Sequence, residues 1–265
     1  EIVYMTNRLF ATIKTKPCPF NCIYCFTKCE NFKQNIFLDS LSVKELYDVT
    51  DDFETIQPAC DTEFLLHPKW KEILLRLSTL NKNISFATKM AISDEDAEFL
   101  GNVNKLLSVN KKVLNIGVTI IKIDNYKELE PNAPTPIARI ETLKKLYNVG
   151  IKTNVIMRPI FPNLTSSEIE YIIEKTYNYA VGYLVGPLYI NDAVKLYLNN
   201  NNFNFSLMKK NPDWNQSKEL DVAYCHEIIT CVAEIAAKFK KQVFFSNEQC
   251  VSYIISNEFG GRNYD

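Results

Sequence analysis

The sequence predicts an α/β protein built as an open, partial TIM barrel: a (βα)6 core followed by a C-terminal extension. Short apolar runs rich in β-branched and aromatic residues recur along the 265 residues, and stretches of helical period separate them. A chain that alternates in this way winds right-handed into a parallel sheet with its chemistry at the carboxyl ends of the strands. Six such units are too few to close an eight-stranded barrel, so an arc is expected.

Strands are expected at 5–14, 55–60, 83–89, 113–121, 152–160 and 181–190. The helices between them have readable starts. Ser42-Val43-Lys44-Glu45 has capping-box spacing, and Ser93-Asp94-Glu95-Asp96 opens the helix carrying Phe99 and Leu100. Pro136 suits a first helical position, and Gly150 suits the end of that helix. Residues 1–190 form the expected core and 191–265 an extension packed on it. Within the extension, 199–216, with its asparagine run and Pro212, reads as an excursion loop over the open side. A long helix is expected near 217–239, with Cys225, Ile228, Ile229, Val232, Ile235 and Ala236 at helical spacing, so Cys225 and Cys231 read as small core residues. A seventh strand candidate, Gln242 to Ser246, extends or caps the arc.

With 46% hydrophobic residues the chain can bury one sizeable core. No apolar run approaches the ~20 residues of a membrane helix. Lys+Arg 30 against Asp+Glu 31 argues against a broad nucleic-acid footprint, although Lys14, Lys16, Lys28 and Lys33 flank one loop. Eight cysteines at irregular spacing, with no apolar signal segment, fit a reducing, cytoplasmic setting better than a disulfide scaffold.

That loop carries the chemistry. In Pro17-Cys18-Pro19-Phe20-Asn21-Cys22-Ile23-Tyr24-Cys25-Phe26 the spacing Cys-x3-Cys-x2-Cys supplies three thiolates. Cuboidal iron–sulfur clusters normally take four, so Cys18, Cys22 and Cys25 would leave one iron open for reaction. A structural zinc site needs four N or S ligands in paired spacings, and no second pair follows. Cys29 is a candidate fourth ligand, which keeps two alternatives open: a fully ligated electron-transfer or sensor protein, and a zinc-stabilised binding module. His67, before Pro68 at a helix start, could approach the site but reads rather as a cap or a solvent-exposed residue, and His226, on a helix, has no partner at ligand spacing.

The cysteine spacing, with Tyr24 before the last cysteine, resembles the radical S-adenosylmethionine (radical SAM) superfamily. Further matches resemble its spore photoproduct lyase and photolyase-like branch: Ala59-Cys60-Asp61-Thr62-Glu63, Phe86-Ala87-Thr88-Lys89, Glu130-Pro131-Asn132-Ala133-Pro134 leading to Arg139, and Arg158-Pro159-Ile160-Phe161-Pro162. The resemblance implies a [4Fe-4S] cluster on Cys18, Cys22 and Cys25, with S-adenosylmethionine on the open iron. One-electron cleavage would give a 5′-deoxyadenosyl radical that takes hydrogen from a substrate, fed by a donor such as flavodoxin or ferredoxin. It implies that Lys89 pairs with the cofactor carboxylate, that Asp61 and Glu63 cradle its amino group, that Tyr24 lies near the adenine, and that Arg139 adds a contact. Cys60 would return hydrogen to the substrate radical. Read without the resemblance, Asp61 and Glu63 are helix N-terminal charges and Cys60 is a small buried residue. The lyase has a tyrosine after its third cluster cysteine where this chain has Phe26, and a phenyl ring cannot pass a hydroxyl hydrogen. The substrate, a small molecule, peptide or nucleic acid, is therefore not fixed as a thymine lesion.

Overall fold

The expected strands are present; residues 5–7 of the first lie outside the described residues, and the other five are shorter than their apolar runs. The computed structural model describes residues 8–28, 37–48, 53–203, 206–211 and 219–260. Cys29 lies outside them. The chain runs β1 (Arg8–Phe10), α1 (Val43–Asp48), β2 (Thr55–Gln57), α2 (Trp70–Ser78), β3 (Asn83–Thr88), α3 (Asp94–Val109), β4 (Leu114–Thr119), α4 (Pro136–Asn148), β5 (Thr153–Met157), α5 (Ser166–Thr176) and β6 (Ala180–Val185). It continues through β7 (Leu188–Tyr189), α6 (Asp192–Asn200), β8 (Leu207–Lys210), β9 (Leu220–Ala223), α7 (His226–Lys238), β10 (Gln242–Phe244) and α8 (Asn247–Phe259).

The main sheet has seven strands in the order β1-β2-β3-β4-β5-β6-β10, every neighbour parallel. β1 and β10 are its edges, so it is an open arc, and β10 adds the seventh strand to β6. Strand residues alternate faces. Ile84, Ile116, Val118, Val155, Met157 and Tyr183 face outward and pack under the helices with Leu74, Leu100, Leu143 and Ile173. The opposite face is mixed. Ser85 donates to Asn115 (2.9 Å) and Asn115 to Asn154 (3.1 Å), a polar ladder across β3, β4 and β5. Beside it Ile156 and Leu184 pack on α8 through Cys250, Val251 and Ile254.

Local signals set most boundaries. Ser42 and Glu45 bond each other's backbone N–H groups, Ser93 accepts from Asp96 N–H at 3.1 Å, and Pro136 starts α4. Gly150 takes φ +85°, the left-handed conformation that glycine adopts without strain.

The extension differs from expectation in two places. The helix expected near 217–239 begins only at His226, because Leu220–Ala223 forms β9. The loop expected at 199–216 holds β8, and β7, β9 and β8 form a small antiparallel sheet. Both misreadings have one cause: a four-residue strand such as Leu-Asp-Val-Ala is defined by its partner across the sheet rather than by its own period. Among the described residues no helix is long and apolar enough to cross a membrane.

Candidate functional site

At the carboxyl ends of the strands the sheet and its loops surround a cavity of about 690 Å³. The cysteine loop after β1, Cys60 to Glu63 after β2, Lys89 after β3 and Arg158 after β5 all line it. Asn247, in the first turn of α8, lines it too and donates to Ser85 at 2.8 Å.

The cysteine loop is braced from several sides. Ile23 N–H donates to the Leu129 carbonyl at 3.0 Å, Asn132 Nδ2 to the Pro19 carbonyl at 2.9 Å, and Asn191 Nδ2 to the Ile23 carbonyl at 2.9 Å. Lys28 Nζ closes the loop on the Cys22 carbonyl at 2.9 Å and on Asn21 at 2.8 Å. Cys18, Cys22 and Cys25 are free thiols on the cavity wall. Among the described residues no three Cys, His, Asp or Glu side chains gather about one point as a single metal ion requires. A cluster of several irons, each taking its own thiolate, asks instead for thiols spread around one space, and Cys18, Cys22 and Cys25 all line this cavity.

Beside the loop lies a buried charge network. Arg139 and Glu130 are both fully buried and pair at 2.5 Å, and Arg139 also donates to the Thr119 carbonyl at 2.8 Å. The second oxygen of Glu130 accepts from the Tyr24 hydroxyl and lies 4.0 Å from Lys89 Nζ. Lys89 stands 5.5 Å from the centre of the Tyr24 ring. Burial alone would push the Lys89 ammonium down, but Cys22 and Glu130 hold it above its ordinary value. Burial, reinforced by Glu130, keeps the Tyr24 phenol well above its usual range.

Glu63 precedes a short turn of helix without capping it. Its carboxylate instead accepts from the Thr88 hydroxyl at 2.8 Å and from Lys89 N–H at 3.0 Å, tying the end of β2 to the end of β3. Burial raises its pKa against those bonds. Asp61 accepts from the Thr12 hydroxyl and is likewise raised by burial. Between the strand and this acidic stretch Ala59 adopts φ +52°, a left-handed turn that costs a residue with a Cβ. Cys60 follows it, with its thiol 3.4 Å from the Ala11 carbonyl. Burial, then the Asp61 charge, push that thiol far up, so it stays protonated.

The cavity thus brings together every site residue expected from sequence except Arg139. That side chain does not reach the cavity; its guanidinium is engaged by Glu130 and Thr119, so it can touch a ligand only through them. His67 is buried away from the cavity, its Nδ1 accepting Lys69 N–H at 3.1 Å in the turn before α2, and His226 stacks on Tyr224. Sequence reading assigned no role to Glu130, Thr12, Thr88 or Arg158. Glu130 and Arg158 stand in motifs quoted above, but nothing local shows that one is buried among charges and the other faces the cavity.

Two proteins similar in sequence have no assigned function. One from Acidianus two-tailed virus is 28% identical over 97 residues, 37% of this chain and 31% of that protein. One from Methanocaldococcus jannaschii is 38% identical over 65 residues, 24% of each chain. These matches thus span a third or less of either relative. Among solved structures, a variant of spore photoproduct lyase superposes with TM-score 0.62 at 10% identity, covering 89% of this chain and 75% of the lyase. Streptococcus suis SuiB bound to S-adenosylmethionine gives 0.61 at 11% identity, covering 91% of this chain and 50% of SuiB. At such identity these two share the fold. Residues 12–176 match the model of the radical SAM superfamily. That span holds the cysteine loop and four of the seven parallel strands, β2 to β5, and the chain therefore belongs to the radical SAM superfamily, whose cofactors are a [4Fe-4S] cluster and S-adenosylmethionine.

Proposed function

We propose that this protein takes a hydrogen atom from a substrate held in the cavity and that Cys60 gives one back. When bound, the cluster and S-adenosylmethionine supply one-electron cleavage of the sulfonium and hence a radical able to attack an unactivated carbon. The observation that carries the reading is that the cysteine loop, Lys89 and Cys60 share one cavity.

In this reading Cys18, Cys22 and Cys25 hold the irons. Lys89 offers its ammonium to the cofactor carboxylate, a charge-assisted contact in a desolvated site. Glu63 and Asp61 face the amino group, Glu63 keeping lone pairs beyond the two bonds it already accepts. Tyr24 presents its ring to the adenine while Glu130 fixes its hydroxyl. Arg139 is a positioning residue acting through Glu130.

Cys60 suits a donor of hydrogen atoms because its thiol is protonated and on the cavity wall. Its S–H bond breaks, a substrate C–H bond forms, and the thiyl left behind is restored by one electron from a flavodoxin- or ferredoxin-class donor and one proton from solvent. Phe26 also lines the cavity and carries no hydroxyl, which favours a substrate other than a thymine lesion. The same reading divides the chain into a core, 1–190, and an extension, 191–265; the packing of α8 on Leu184 and Ile156 supports it.

The test is anaerobic reconstitution followed by dithionite and S-adenosylmethionine. Formation of 5′-deoxyadenosine is expected from the wild type and not from Cys22→Ala. A cluster-loaded wild type that forms none would overturn the reading.

A further inference from the structure

We propose that Arg158 binds an oxyanion of the substrate, a carboxylate or phosphate, on the wall of the cavity facing Cys60. The inference rests on the reading above and names what its substrate must carry. Arg158 follows β5 and lines the cavity, yet among the described residues it has no hydrogen-bond or ion-pair partner. Of the other basic groups that line the cavity, Lys16 is exposed to solvent and Arg8 lies over the Phe10 ring, and those around the cysteine loop are engaged. Lys89 faces Glu130, Arg139 pairs with Glu130, and Lys28 donates to Asn21 and the Cys22 carbonyl. The cavity carboxylates, Asp61 and Glu63, lie on the β2 side, so nothing on the β5 side balances the guanidinium.

The side chain is also accommodated by the fold. A Cβ at Gly186 would stand 2.8 Å from Arg158 Cδ and Nε, so glycine there leaves the path that the arginine stem follows. A guanidinium is planar and always charged, and its fork matches carboxylate or phosphate with two parallel bonds. The cofactor carboxylate is a poor candidate for it. Lys89 is placed for that group on β3, and β5 lies two strands away, roughly 10 Å at sheet spacing. Cys60 follows β2, three strands from β5 and about 14 Å across. A substrate anchored at Arg158 therefore extends its reacting carbon toward the thiol.

The experiment is site-resolved arginine labelling of the cluster-loaded chain with S-adenosylmethionine present. p-Hydroxyphenylglyoxal is the reagent, and the Arg158 peptide is quantified by mass spectrometry. Labelling is run in inorganic phosphate, in acetate and in chloride at equal ionic strength. Phosphate or acetate should slow modification of Arg158 at least about tenfold, the scale of a lost charged hydrogen bond. The protecting anion identifies the source. Equal rates in all three salts overturn the proposal. Gly186→Ala keeps the guanidinium but displaces its stem, and should abolish protection; protection that survives intact counts against the site. Arg158→Gln should bind S-adenosylmethionine within about twofold of wild type, well inside the effect of one charged contact. A tenfold loss would make Arg158 a cofactor contact and overturn the assignment. Failure to form 5′-deoxyadenosine tells against the reaction, whereas failure of protection tells against the oxyanion site alone.

Discussion

Two basic strand ends face the same cavity and are built in opposite ways. Lys89, after β3, has Glu130 at 4.0 Å, the Tyr24 ring at 5.5 Å and its own N–H on Glu63. Arg158, after β5, rests its stem over Gly186 and meets no counter-charge among the described residues. A buried cation provided with partners in advance is held to one geometry and suits a ligand that never changes. One left without partners gains most from the ligand itself, since an unmet charge in a partly desolvated site is costly until it is paired. In the proposed reading the β3 side is fitted to the superfamily's fixed cofactor and the β5 side to whatever this member transforms.

The largest effect comes from removing what Lys89 is built around. Replacing Cys18, Cys22 or Cys25 by alanine should abolish the cluster, measured as loss of about four irons and four sulfides per chain. Cys29→Ala should leave the content unchanged; its loss there would restore the four-ligand alternative and empty the comparison of meaning.

Next in size is the support behind Lys89. Arg139→Met leaves Glu130 charged and buried with Lys89, at 4.0 Å, as its remaining counter-charge, and should lower the urea unfolding free energy by about 3 kcal/mol, the low end for a broken buried pair. The Glu130→Gln/Arg139→Met double variant should recover most of that loss, because the buried charge has gone with its partner. Additive losses would show that the two residues do not act as a pair.

This network marks where sequence reading ended. The helix starts at Ser42, Ser93 and Pro136 were legible because a cap, or a proline at the first helical position, acts within three residues. The cysteine loop was legible because its ligands are seven residues apart from first to last. The Tyr24 to Glu130 bond joins positions 106 residues apart, and nothing near either residue announces it. Arg139 carries the same charge whether it turns inward or outward; only the fully buried Glu130 opposite decides that it turns in. The β7-β9-β8 sheet was missed for the same reason, each strand being specified by a partner distant in sequence.

A smaller effect separates the two basic ends directly. Lys89→Ala should keep the cluster and weaken S-adenosylmethionine binding by about 1.5–3 kcal/mol, the worth of one charged hydrogen bond, read by equilibrium binding. Unchanged affinity would remove Lys89 from the cofactor and erase the contrast with Arg158.

The smallest effect concerns the thiol facing Arg158, and it asks which form of sulfur that wall presents. Burial first, then Asp61, raise the Cys60 pKa, so its thiolate forms only in strongly alkaline solution. An ordinary cysteine is half ionised near pH 8.5, and the thiolate is what iodoacetamide attacks. At that pH, in cluster-loaded protein where the three cluster thiolates are engaged, Cys60 should label more slowly than Cys231, measured peptide by peptide. Asp61→Asn should quicken it only modestly, because desolvation is the larger cause and stays in place. Labelling of Cys60 as fast as Cys231 would mean a thiolate, a nucleophile with no hydrogen to give. Slow labelling leaves an S–H bond intact at every physiological pH, which is what a substrate radical held between Arg158 and Cys60 needs to find.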